Sequence, residues 1–453
     1  MRVSDLRVAI VGAGPSGIYA AEALSSLQDM TVDVDIFDAL PVPFGLVRYG
    51  VAPDHTSIRG VRDTLDKTLN NPGVRFFGNV RVGVDISLSE LEDDYDAVLL
   101  TYGASTDQQL GVPGEGLTGS IPATELVSWY CGNPDAHREL IENAIQGVTS
   151  VVVVGVGNVA VDVARILAKA SGELSDTDMP QHVLDALSST SITDVHIVGR
   201  RGPAQASFTT KELRELGELL GVDVIVNPDD LDFDAHSLET IASHKVAARN
   251  VEVMKEWATR TPQNLPRRLH FHFFRRPVEI IGSDRVEGVV LERTEFGDEG
   301  QLQGTGSTEQ LASQLIVRSV GYRGESIAGV DVDQRSGTIT NSDGRVIRDG
   351  AVVPGLYVAG WIKRGPSGII GTNKKCAVAT VDALVADHAA GSLPSPGRLG
   401  SVVALLEERG IDYCTTQDWR NIDIAERELG QSRGRERTTI HERSDLIAAG
   451  HNQ

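Results

Sequence analysis

Two strand–glycine-loop–helix patterns constrain the fold of this chain more than any other feature of its sequence. The first is RVAIVGAGPSGIYAAEAL at residues 7–24, and the second is SVVVVGVGNVAVDVARIL at residues 150–167. In each, a continuous β-branched apolar run, typical of a parallel strand buried on both faces, leads into a glycine turn and a helix of small and aliphatic residues. This order predicts an α/β fold with two Rossmann-like dinucleotide-binding domains.

Other apolar segments predict further strands and helices of the two domains. Strands are predicted at 32–37, 97–101, 195–198, 315–320 and 355–358, and helices at 58–70, 137–145 and 209–220. Glycine-bearing exits from strands at 101–105 and 319–324 mark the predicted crossings between domains. The first domain is therefore predicted to be discontinuous, with residues 1–104 completed by 322–453, and residues 105–321 form the second domain inserted in it.

The first glycine loop carries the G-x-G-x-x-G pattern at Gly12, Gly14 and Gly17, between a strand and a helix. The first glycine permits a tight turn, the second lets the backbone approach a pyrophosphate, and the third allows close packing of helix on strand. Asp38 ends the next predicted strand, where a carboxylate hydrogen-bonds the adenosine ribose. These residues predict a dinucleotide site but do not by themselves distinguish FAD from NAD.

The segments that follow favour FAD in this first site. PVPFGLVRYG at 41–50 is an apolar loop rich in proline and glycine, suited to lie against a flat, uncharged ring. Near the C-terminus, GLYVAG at 355–360 precedes Trp361, and GPSGIIG at 365–371 opens a predicted helix over about 372–386. The N–H groups at the start of that helix are expected to face the flavin pyrimidine edge, where a reduced flavin carries negative charge.

The second glycine loop reads G-x-G-x-x-A at Gly155, Gly157 and Ala160, and Arg200 and Arg201 follow its next strand. An NAD site places an acid at that position, and a carboxylate there would repel a 2′-phosphate. Paired guanidinium groups instead grip a 2′-phosphate through charge-assisted bidentate hydrogen bonds. The second site is therefore predicted to bind NADP rather than NAD.

Charge and cysteine content exclude several classes of function. The chain of 453 residues has 42 basic and 63 acidic side chains, a net charge of −21, which argues against a nucleic-acid partner. Its cysteines are Cys131, Cys376 and Cys414, which are far apart, so a disulfide framework, a C-x-x-C redox pair and a four-cysteine iron–sulfur site are excluded. The sequence predicts no metal site.

The sequence also predicts where the protein works. No apolar run approaches the roughly 18 residues that cross a bilayer, so no membrane partner is expected. The chain passes from Met1 almost directly into the first strand at Leu6, which leaves no room for a secretory signal. A cytoplasmic location is predicted.

At this point the chain resembles the adrenodoxin-reductase type of ferredoxin–NADP reductase, including its bacterial NADPH-ferredoxin reductase members. The segments that carry the resemblance are VGAGPSG, LPVPFGLVRYGVAPDH, VGVGNVAVDVARIL, VGRRGP, FTTKELREL, VAGWIKRGPSGIIGTNK and GRERTTI. They occur in the family's order along nearly the whole chain. LPVPFGLVRYGVAPDH and GWIKRGPSGIIGTNK are highly specific, whereas the glycine loops are not.

The motifs and the resemblance together imply the residues of both cofactor sites. The residues expected to bind FAD are Gly12, Ala13, Gly14, Pro15, Gly17, Asp38, Gly45, Leu46, Val82, Trp361, Gly368, Ile369 and Ile370. The residues expected to bind NADP(H) are Gly157, Asn158, Val159, Ala160, Arg200, Arg201 and Glu212, with Gly368 near both cofactors. The family's usual ribose acid is Glu, and Asp38 is shorter by one methylene.

The resemblance implies that NADPH delivers a hydride to FAD and that single electrons pass on to a ferredoxin, an iron–sulfur protein. It places His55 and Glu215 near the flavin as a catalytic pair that relays a proton or positions the reactants. Because ferredoxins are acidic and this chain is acidic too, docking is expected to use a local basic patch. The candidates are Lys211, Arg214, Arg267, Arg268, Arg275 and Arg276.

Alternatives from other classes stay open at this stage. Another NADPH-dependent flavoprotein, such as a monooxygenase or a diaphorase-like enzyme, would share the two nucleotide domains. A non-enzymatic NADP-sensing module would also share them, but its flavin would not be reduced by NADPH. A disulfide reductase of similar architecture needs a cysteine pair, which this chain lacks.

Overall fold

The computed structural model describes residues 5–397 and 401–452, which form two compact units. Unit 1 comprises the described residues of Met1–Thr106, Cys131–Asp135 and Gly321–Gln453, and unit 2 comprises Asp107–Tyr130 and Ala136–Val320. Unit 1 is discontinuous, and unit 2 is inserted in it. None of the helices in the described residues is both long and apolar enough to span a membrane.

The strands of the described residues, in chain order, are β1 (Leu6–Val11), β2 (Val32–Phe37), β3 (Val74–Phe77), β4 (Ala97–Leu100), β5 (Thr106–Asp107), β6 (Ser120–Pro122), β7 (Ser150–Val154), β8 (Asp194–Val198), β9 (Val222–Val226), β10 (Arg267–His272), β11 (Arg275–Ile281), β12 (Gly288–Phe296), β13 (Leu302–Ala312), β14 (Leu315–Arg318), β15 (Tyr322–Arg323), β16 (Asn341–Ser342), β17 (Arg345–Arg348) and β18 (Ala351–Val358).

The α-helices are α1 (Pro15–Ser25), α2 (Leu46–Tyr49), α3 (Thr56–Arg59), α4 (Val61–Asp66), α5 (Leu88–Asp94), α6 (Ala123–Tyr130), α7 (Arg138–Ile145), α8 (Asn158–Ala168), α9 (Gln181–Ser188), α10 (Thr210–Leu216), α11 (Ala235–Ser243), α12 (Lys245–Ala258), α13 (Trp361–Arg364), α14 (Ile370–Ala389), α15 (Val402–Glu408), α16 (Thr416–Gln431) and α17 (Arg443–His451). Short 3₁₀ segments lie at Lys67–Asn70, Ser171–Leu174, Pro203–Gln205 and Pro228–Leu231.

Unit 1 is built on a seven-stranded sheet in the order β16-β17-β18-β4-β1-β2-β3. The strands from β18 to β3 are parallel, and β16 and β17 add an antiparallel edge. The central strand β1 is apolar and almost wholly buried, because β2 and β4 flank it and helices such as α1 cover the sheet. The loops after β1, β2 and β18 therefore start from one edge of the sheet, where α/β folds bind ligands.

Unit 2 contains a six-stranded parallel sheet in the order β6-β14-β7-β8-β10-β9. A second sheet, β11-β12-β13, is antiparallel. Val152, Val154 and Val198 of the parallel sheet share an apolar core with Val289 and Leu291 of the antiparallel one. One face of the parallel sheet is therefore covered by strands.

The predicted α/β fold class is confirmed, with differences in its details. The predicted strand at 32–37 is β2, and the predicted strand at 355–358 is the end of a longer β18. The predicted helix at 58–70 was wrong as one element, because α3 ends at Arg59 and α4 begins at Val61, with Gly60 between them. Glycine weakens a helix because its backbone loses the most conformational freedom there. The predicted helix at 209–220 is also shorter, since α10 ends before Gly217.

Candidate functional site

The first glycine loop of unit 1 joins β1 to α1 with the geometry that a pyrophosphate site needs. Gly12 has a φ of +108°, and a Cβ there would lie 2.7 Å from the Cα of Tyr102, so a side chain is excluded. A Cβ on Gly14 would meet nothing within 4 Å, which leaves open space beside the start of α1. No side chain caps that helix start. The residues present therefore fit a phosphate group bound by the N–H groups of α1.

Asp38 lies at the same edge of the sheet, directly after β2. Its carboxylate accepts hydrogen bonds from the backbone N–H groups of Ala13, at 2.6 Å, and Leu40, at 2.8 Å. Burial raises the pKa of Asp38 to about 6, although these two donors oppose the shift. The side chain is half-buried, so it is held in place by the glycine loop while part of it stays accessible to a ligand.

The apolar loop at 41–50 lies against the glycine loop. The N–H of Phe44 donates to the carbonyl of Ala13 at 2.8 Å, and a Cβ on Gly45 would lie 3.1 Å from the Cα of Gly14. Leu46, at the start of α2, is an exposed apolar side chain with 39% of its surface accessible. This arrangement fits the predicted role of Gly45 and Leu46 in holding an apolar ring.

The C-terminal glycine segment supplies a second helix start in unit 1. Gly360 follows β18, Trp361 begins α13, and Ile369 immediately precedes the 20-residue helix α14. Ile369 is 69% exposed, which is unusual for an isoleucine next to a well-formed helix. The indole N–H of Trp361 is buried and has no hydrogen-bond partner among residues 5–397 and 401–452. An unsatisfied donor and an exposed apolar side chain in one segment suit an amphipathic ligand such as flavin.

Val82 differs from the other predicted FAD contacts because it is buried in the apolar core of unit 1. Its backbone forms a short bridge with Ile86. Its assignment as a flavin contact stays a prediction.

A buried ion-pair network, missed by the sequence analysis, fixes the apolar loop of unit 1. Arg48 of α2 and Glu426 of α16 are both fully buried and form a two-point ion pair. Arg437 donates to the same carboxylate at 2.7 Å. Phe44 packs edge-to-face on Trp419 of α16, with ring centroids 5.4 Å apart. The motifs that contain Arg48 and Arg437 were recognised, but nothing local in the sequence indicates that Glu426 lies between them.

The second glycine loop, in unit 2, has the same features as the first: a glycine with a positive φ and a following helix whose start has no side-chain cap. Gly155 has a φ of +139°, and a Cβ there would collide with the carbonyl oxygen of Ser319. Gly157 precedes α8, whose N-terminus again has no side-chain cap. The side chain of Asn158 accepts from the backbone N–H of Thr209 at 2.9 Å, and Ala160 is fully buried beneath the loop. The residues present fit a pyrophosphate at the start of α8.

Arg200 and Arg201 follow β8 at the same edge of the parallel sheet as this loop. Both are exposed, and neither guanidinium has an ion pair or hydrogen bond within the described part of the chain. The backbone carbonyl of Arg200 accepts from the hydroxyl of Thr294 at 2.6 Å, which fixes the turn itself. In a chain of net charge −21, two neighbouring uncompensated arginines are a strong local attraction for an anion.

Glu212 and Glu215 lie on α10 in an acidic group around the buried Arg165 of α8. Arg165 lies 2.8 Å from Asp162, 3.6 Å from Glu212 and 3.8 Å from Glu215. Burial, together with the carboxylates of Asp162 and Glu215, raises the pKa of Glu212 to about 7, while Arg165 opposes the shift. A carboxyl group that titrates near neutral pH is suited to exchange protons.

His55 belongs to unit 1, where it is buried and immediately precedes α3. Its backbone N–H donates to the carbonyl of Ala52 at 3.0 Å. Glu215 belongs to unit 2. Their predicted action as a pair therefore stays a prediction.

Three arginines of the predicted basic docking patch are already paired with acids of this chain. Arg268 is paired with Asp194, Arg275 with Glu309, and Arg276 with Glu292. Each pairing neutralises the charge of the arginine locally. An acidic group of a partner would therefore have to displace an acid of this chain before it could bind the arginine. Lys211 also has a carboxylate 3.8 Å away, on Glu215, whereas Arg214 is exposed.

Comparison with known proteins identifies the class to which this architecture belongs. The sequence model of the pyridine nucleotide-disulphide oxidoreductases matches residues 6–372, so the chain belongs to that family. Cys131, Cys376 and Cys414 form no disulfide within the described residues, so the disulfide chemistry of that description has no cysteine pair here.

Individual relatives narrow the class. The chain is 44% identical over 457 residues to NADPH-ferredoxin reductase FprA of Mycobacterium tuberculosis, covering 98% of both chains. It is 38% identical to the mitochondrial NADPH:adrenodoxin oxidoreductase of Arabidopsis thaliana, covering 99% of this chain and 96% of the other. The solved structure of Mycobacterium tuberculosis FprA in complex with NADPH is similar with a TM-score of 0.91, covering 99% and 100% of the two chains. The resemblance to the adrenodoxin-reductase type is confirmed.

We expect FAD retention to weaken as the pH falls through 6. In the predicted contact the ribose hydroxyls donate to the ionised form of Asp38, so FAD binding would have to displace the proton that this carboxyl carries below its pKa of about 6. At pH 5 the affinity for FAD should be about tenfold lower than at pH 8. Titration of deflavinated protein with FAD, followed by flavin fluorescence, measures this. Asp38→Asn should bind FAD weakly and equally at both pH values, and an equally steep pH dependence in that variant would contradict the assignment.

Removing the charge of Glu426 should loosen the apolar loop at 41–50. Glu426→Gln leaves Arg48 buried beside a neutral side chain, and loss of one partner of a buried pair costs about 3–5 kcal/mol. FAD should therefore dissociate at a lower temperature, as measured by the rise of flavin fluorescence on heating. Arg420→Gln on the same helix is the matched control, since its pair with Asp66 is partly exposed and such pairs contribute about 1 kcal/mol or less. Equal shifts in the two variants would argue against the special role of Glu426.

Replacing Arg200 or Arg201 by Ala should weaken the preference for NADPH over NADH. Charge-assisted hydrogen bonds contribute about 1.5–3 kcal/mol each, so each substitution should raise the Kd for NADP⁺ about 10- to 100-fold. The Kd for NAD⁺ should not change, because NAD⁺ has no 2′-phosphate. Isothermal titration calorimetry measures both. Arg276→Ala removes an arginine of the same unit that is paired with Glu292 and should leave both constants unchanged.

Proposed function

We propose that this protein is an NADPH:ferredoxin oxidoreductase, an FAD-dependent enzyme that takes a hydride from NADPH and passes single electrons to a ferredoxin-type iron–sulfur protein. The observation that carries the proposal is the difference between the two glycine loops. The first is followed by Asp38, which suits an unphosphorylated ribose. The second is followed by Arg200 and Arg201, which have no ion pair in the part of the chain that the structure describes and suit a 2′-phosphate. The full-length similarity to NADPH-ferredoxin reductases supports it.

In this proposal unit 1 supplies the FAD domain, residues 1–104 and 322–453, and residues 105–321 supply the NADP domain. The start of α1 holds the FAD pyrophosphate, Asp38 binds the ribose, and Trp361 and the start of α14 adjoin the isoalloxazine ring. The start of α8 holds the NADP pyrophosphate. Glu212 is proposed as a further NADP contact.

FAD, when bound, accepts two electrons as a hydride and can release them one at a time. The chain's own residues have to position the reactants, because hydride transfer needs a short and fixed approach rather than a strong base. The N–H groups at the start of α14 stabilise negative charge nearby. His55 and Glu215 are proposed to position the reactants or to move a proton, and the group around Arg165 holds Glu215 in place.

The proposed partner and location follow from the same features. An acidic ferredoxin has to approach a chain of net charge −21 at a place where a basic side chain is exposed and has no ion pair within the described residues, such as Arg214. We propose that the protein works in the cytoplasm. Its three cysteines form no disulfide within the described residues, which is compatible with a reducing compartment. Subcellular fractionation would test the location.

The central experiment is anaerobic titration of the yellow protein with NADPH and, separately, with NADH. NADPH should bleach the flavin absorption with two electrons per FAD, and NADH should do so poorly. An oxidised [2Fe–2S] ferredoxin added next should become reduced, as seen by electron paramagnetic resonance. In stopped-flow measurements His55→Ala should slow flavin reduction without loss of FAD, while His451→Ala, an exposed histidine of the same unit, should behave as the unmodified protein.

Other outcomes identify the alternatives. Rapid oxygen consumption with little ferredoxin reduction would favour a monooxygenase or a diaphorase-like enzyme. A bound flavin that NADPH does not reduce would favour an NADP-sensing module. Reduction at unchanged rate in His55→Ala would remove His55 from the mechanism while leaving the proposed reaction intact.

A further inference from the structure

The arginine turn, residues 199–201 directly after β8, is hydrogen-bonded to the antiparallel sheet of unit 2 and to the residue before it. The carbonyl of Gly199 accepts from the backbone N–H of Arg275, the first residue of β11, at 3.0 Å. The carbonyl of Arg201 accepts from the backbone N–H of Phe274 at 3.2 Å. These two backbone bonds fix the first and the last residue of the turn.

The middle carbonyl of the arginine turn depends on a side chain. The carbonyl of Arg200 accepts from the hydroxyl of Thr294, on β12, at 2.6 Å. Thr294 is buried, and its own backbone N–H donates to the carbonyl of Phe274 at 2.9 Å. A backbone N–H is lost only when proline is introduced. Of these three donors to the turn, the hydroxyl of Thr294 is therefore the one that a substitution can remove without altering the backbone.

The strand β12 is irregular at Thr294. The register of its pairing with β13 shifts between Glu292 and Thr294, and its pairing with β11 ends at Arg293. Such bulges interrupt the regular ladder and can re-aim a side chain towards a functional site. Beyond the end of the pairing with β11, the hydroxyl of Thr294 reaches the carbonyl of Arg200, which lies outside its own sheet.

The support of the turn matters because two guanidinium groups have to meet one phosphate. The side chains of Arg200 and Arg201 are exposed and make no ion pair within the part of the chain that the structure describes. Their position is therefore set by the backbone of the turn. A site that is ordered before its ligand arrives loses less conformational freedom on binding, so a fixed turn strengthens binding of the 2′-phosphate.

We propose that Thr294 is a positioning residue for the preference for NADP(H) over NAD(H), because it holds the arginine turn in the form that binds a 2′-phosphate. The inference rests on the proposed NADPH:ferredoxin oxidoreductase function. Without the hydroxyl, the carbonyl of Arg200 loses its donor and the turn samples other conformations. Affinity for the 2′-phosphate then falls, whereas the pyrophosphate at the start of α8 is bound as before.

Isothermal titration calorimetry of the holoprotein with NADP⁺ and with NAD⁺ tests the inference. Thr294→Val removes the hydroxyl and should raise the Kd for NADP⁺ about two- to tenfold, the value of one hydrogen bond, at an unchanged Kd for NAD⁺. Thr294→Ser retains the hydroxyl and should retain the preference. Thr305→Val is the matched control, since the exposed hydroxyl of Thr305 on β13 donates to a different carbonyl, that of Arg293, at 3.1 Å. It should behave as the unmodified protein.

The same substitution in a protein that carries both Arg200→Ala and Arg201→Ala shows whether Thr294 acts through the arginines. In that background Thr294→Val should leave the Kd for NADP⁺ unchanged, because the effects of residues that act through one another are not additive. A loss as large as in the parent protein would overturn the inference.

The remaining outcomes separate the inference from the proposed function. If the unmodified protein prefers NADP⁺ and Thr294→Val keeps that preference in full, the inference fails and the proposed function stands. An equal rise of both dissociation constants in Thr294→Val, or a loss of preference in Thr294→Ser as large as in Thr294→Val, would assign Thr294 a packing role and overturn the inference as well. An unmodified protein that binds NADP⁺ no more tightly than NAD⁺ would contradict the proposed function and the inference together.

Discussion

The buried ion pair between Arg48 and Glu426 is the interaction on which the first nucleotide site depends. Two buried charges are costly to remove from water, and the cost is offset only when their hydrogen bonds are well satisfied. Here Glu426 accepts from Arg48, from Arg437 and from the backbone N–H of Ile440. The paired residues are 378 positions apart in the chain, so the loop at 41–50 reaches this arrangement only when the C-terminal segment has folded onto it.

That dependence shows how unit 1 is compact although its sequence is discontinuous. The glycine loop after β1 and the loop at 41–50 are close in sequence and touch through Phe44 and Ala13. This contact does not fix α2 from its other side. Trp419 and Glu426 on α16 do so, through ring packing and charge. Helix α16, near the C-terminus, thus helps to shape a site whose glycine motif lies near the N-terminus of the chain.

Features that local residue order determines could be predicted from the sequence, whereas contacts between distant segments could not. The glycine loops, β1, β2 and β8 could be predicted because local residue order determines them, as could the positions of Asp38 and of Arg200 and Arg201. The break at Gly60 was missed because apolar spacing continues across it. The Arg48–Glu426 pair could not be predicted, since it joins two helices, α2 and α16, whose proximity follows from the tertiary fold and not from any local pattern.

The pairing of charges explains how an acidic chain can serve anionic ligands. Most of the arginines predicted to form a docking surface are already paired with acids of the chain, as Arg268 is with Asp194 and Arg276 with Glu292. Such pairs contribute little field beyond their own neighbourhood, because opposite charges cancel and salt screens the remainder within about 8 Å. Arg200 and Arg201 are different, since no acid neutralises them within the described residues. Selectivity for an anion in this protein therefore depends on which arginines lack an acidic partner, and not on the number of arginines.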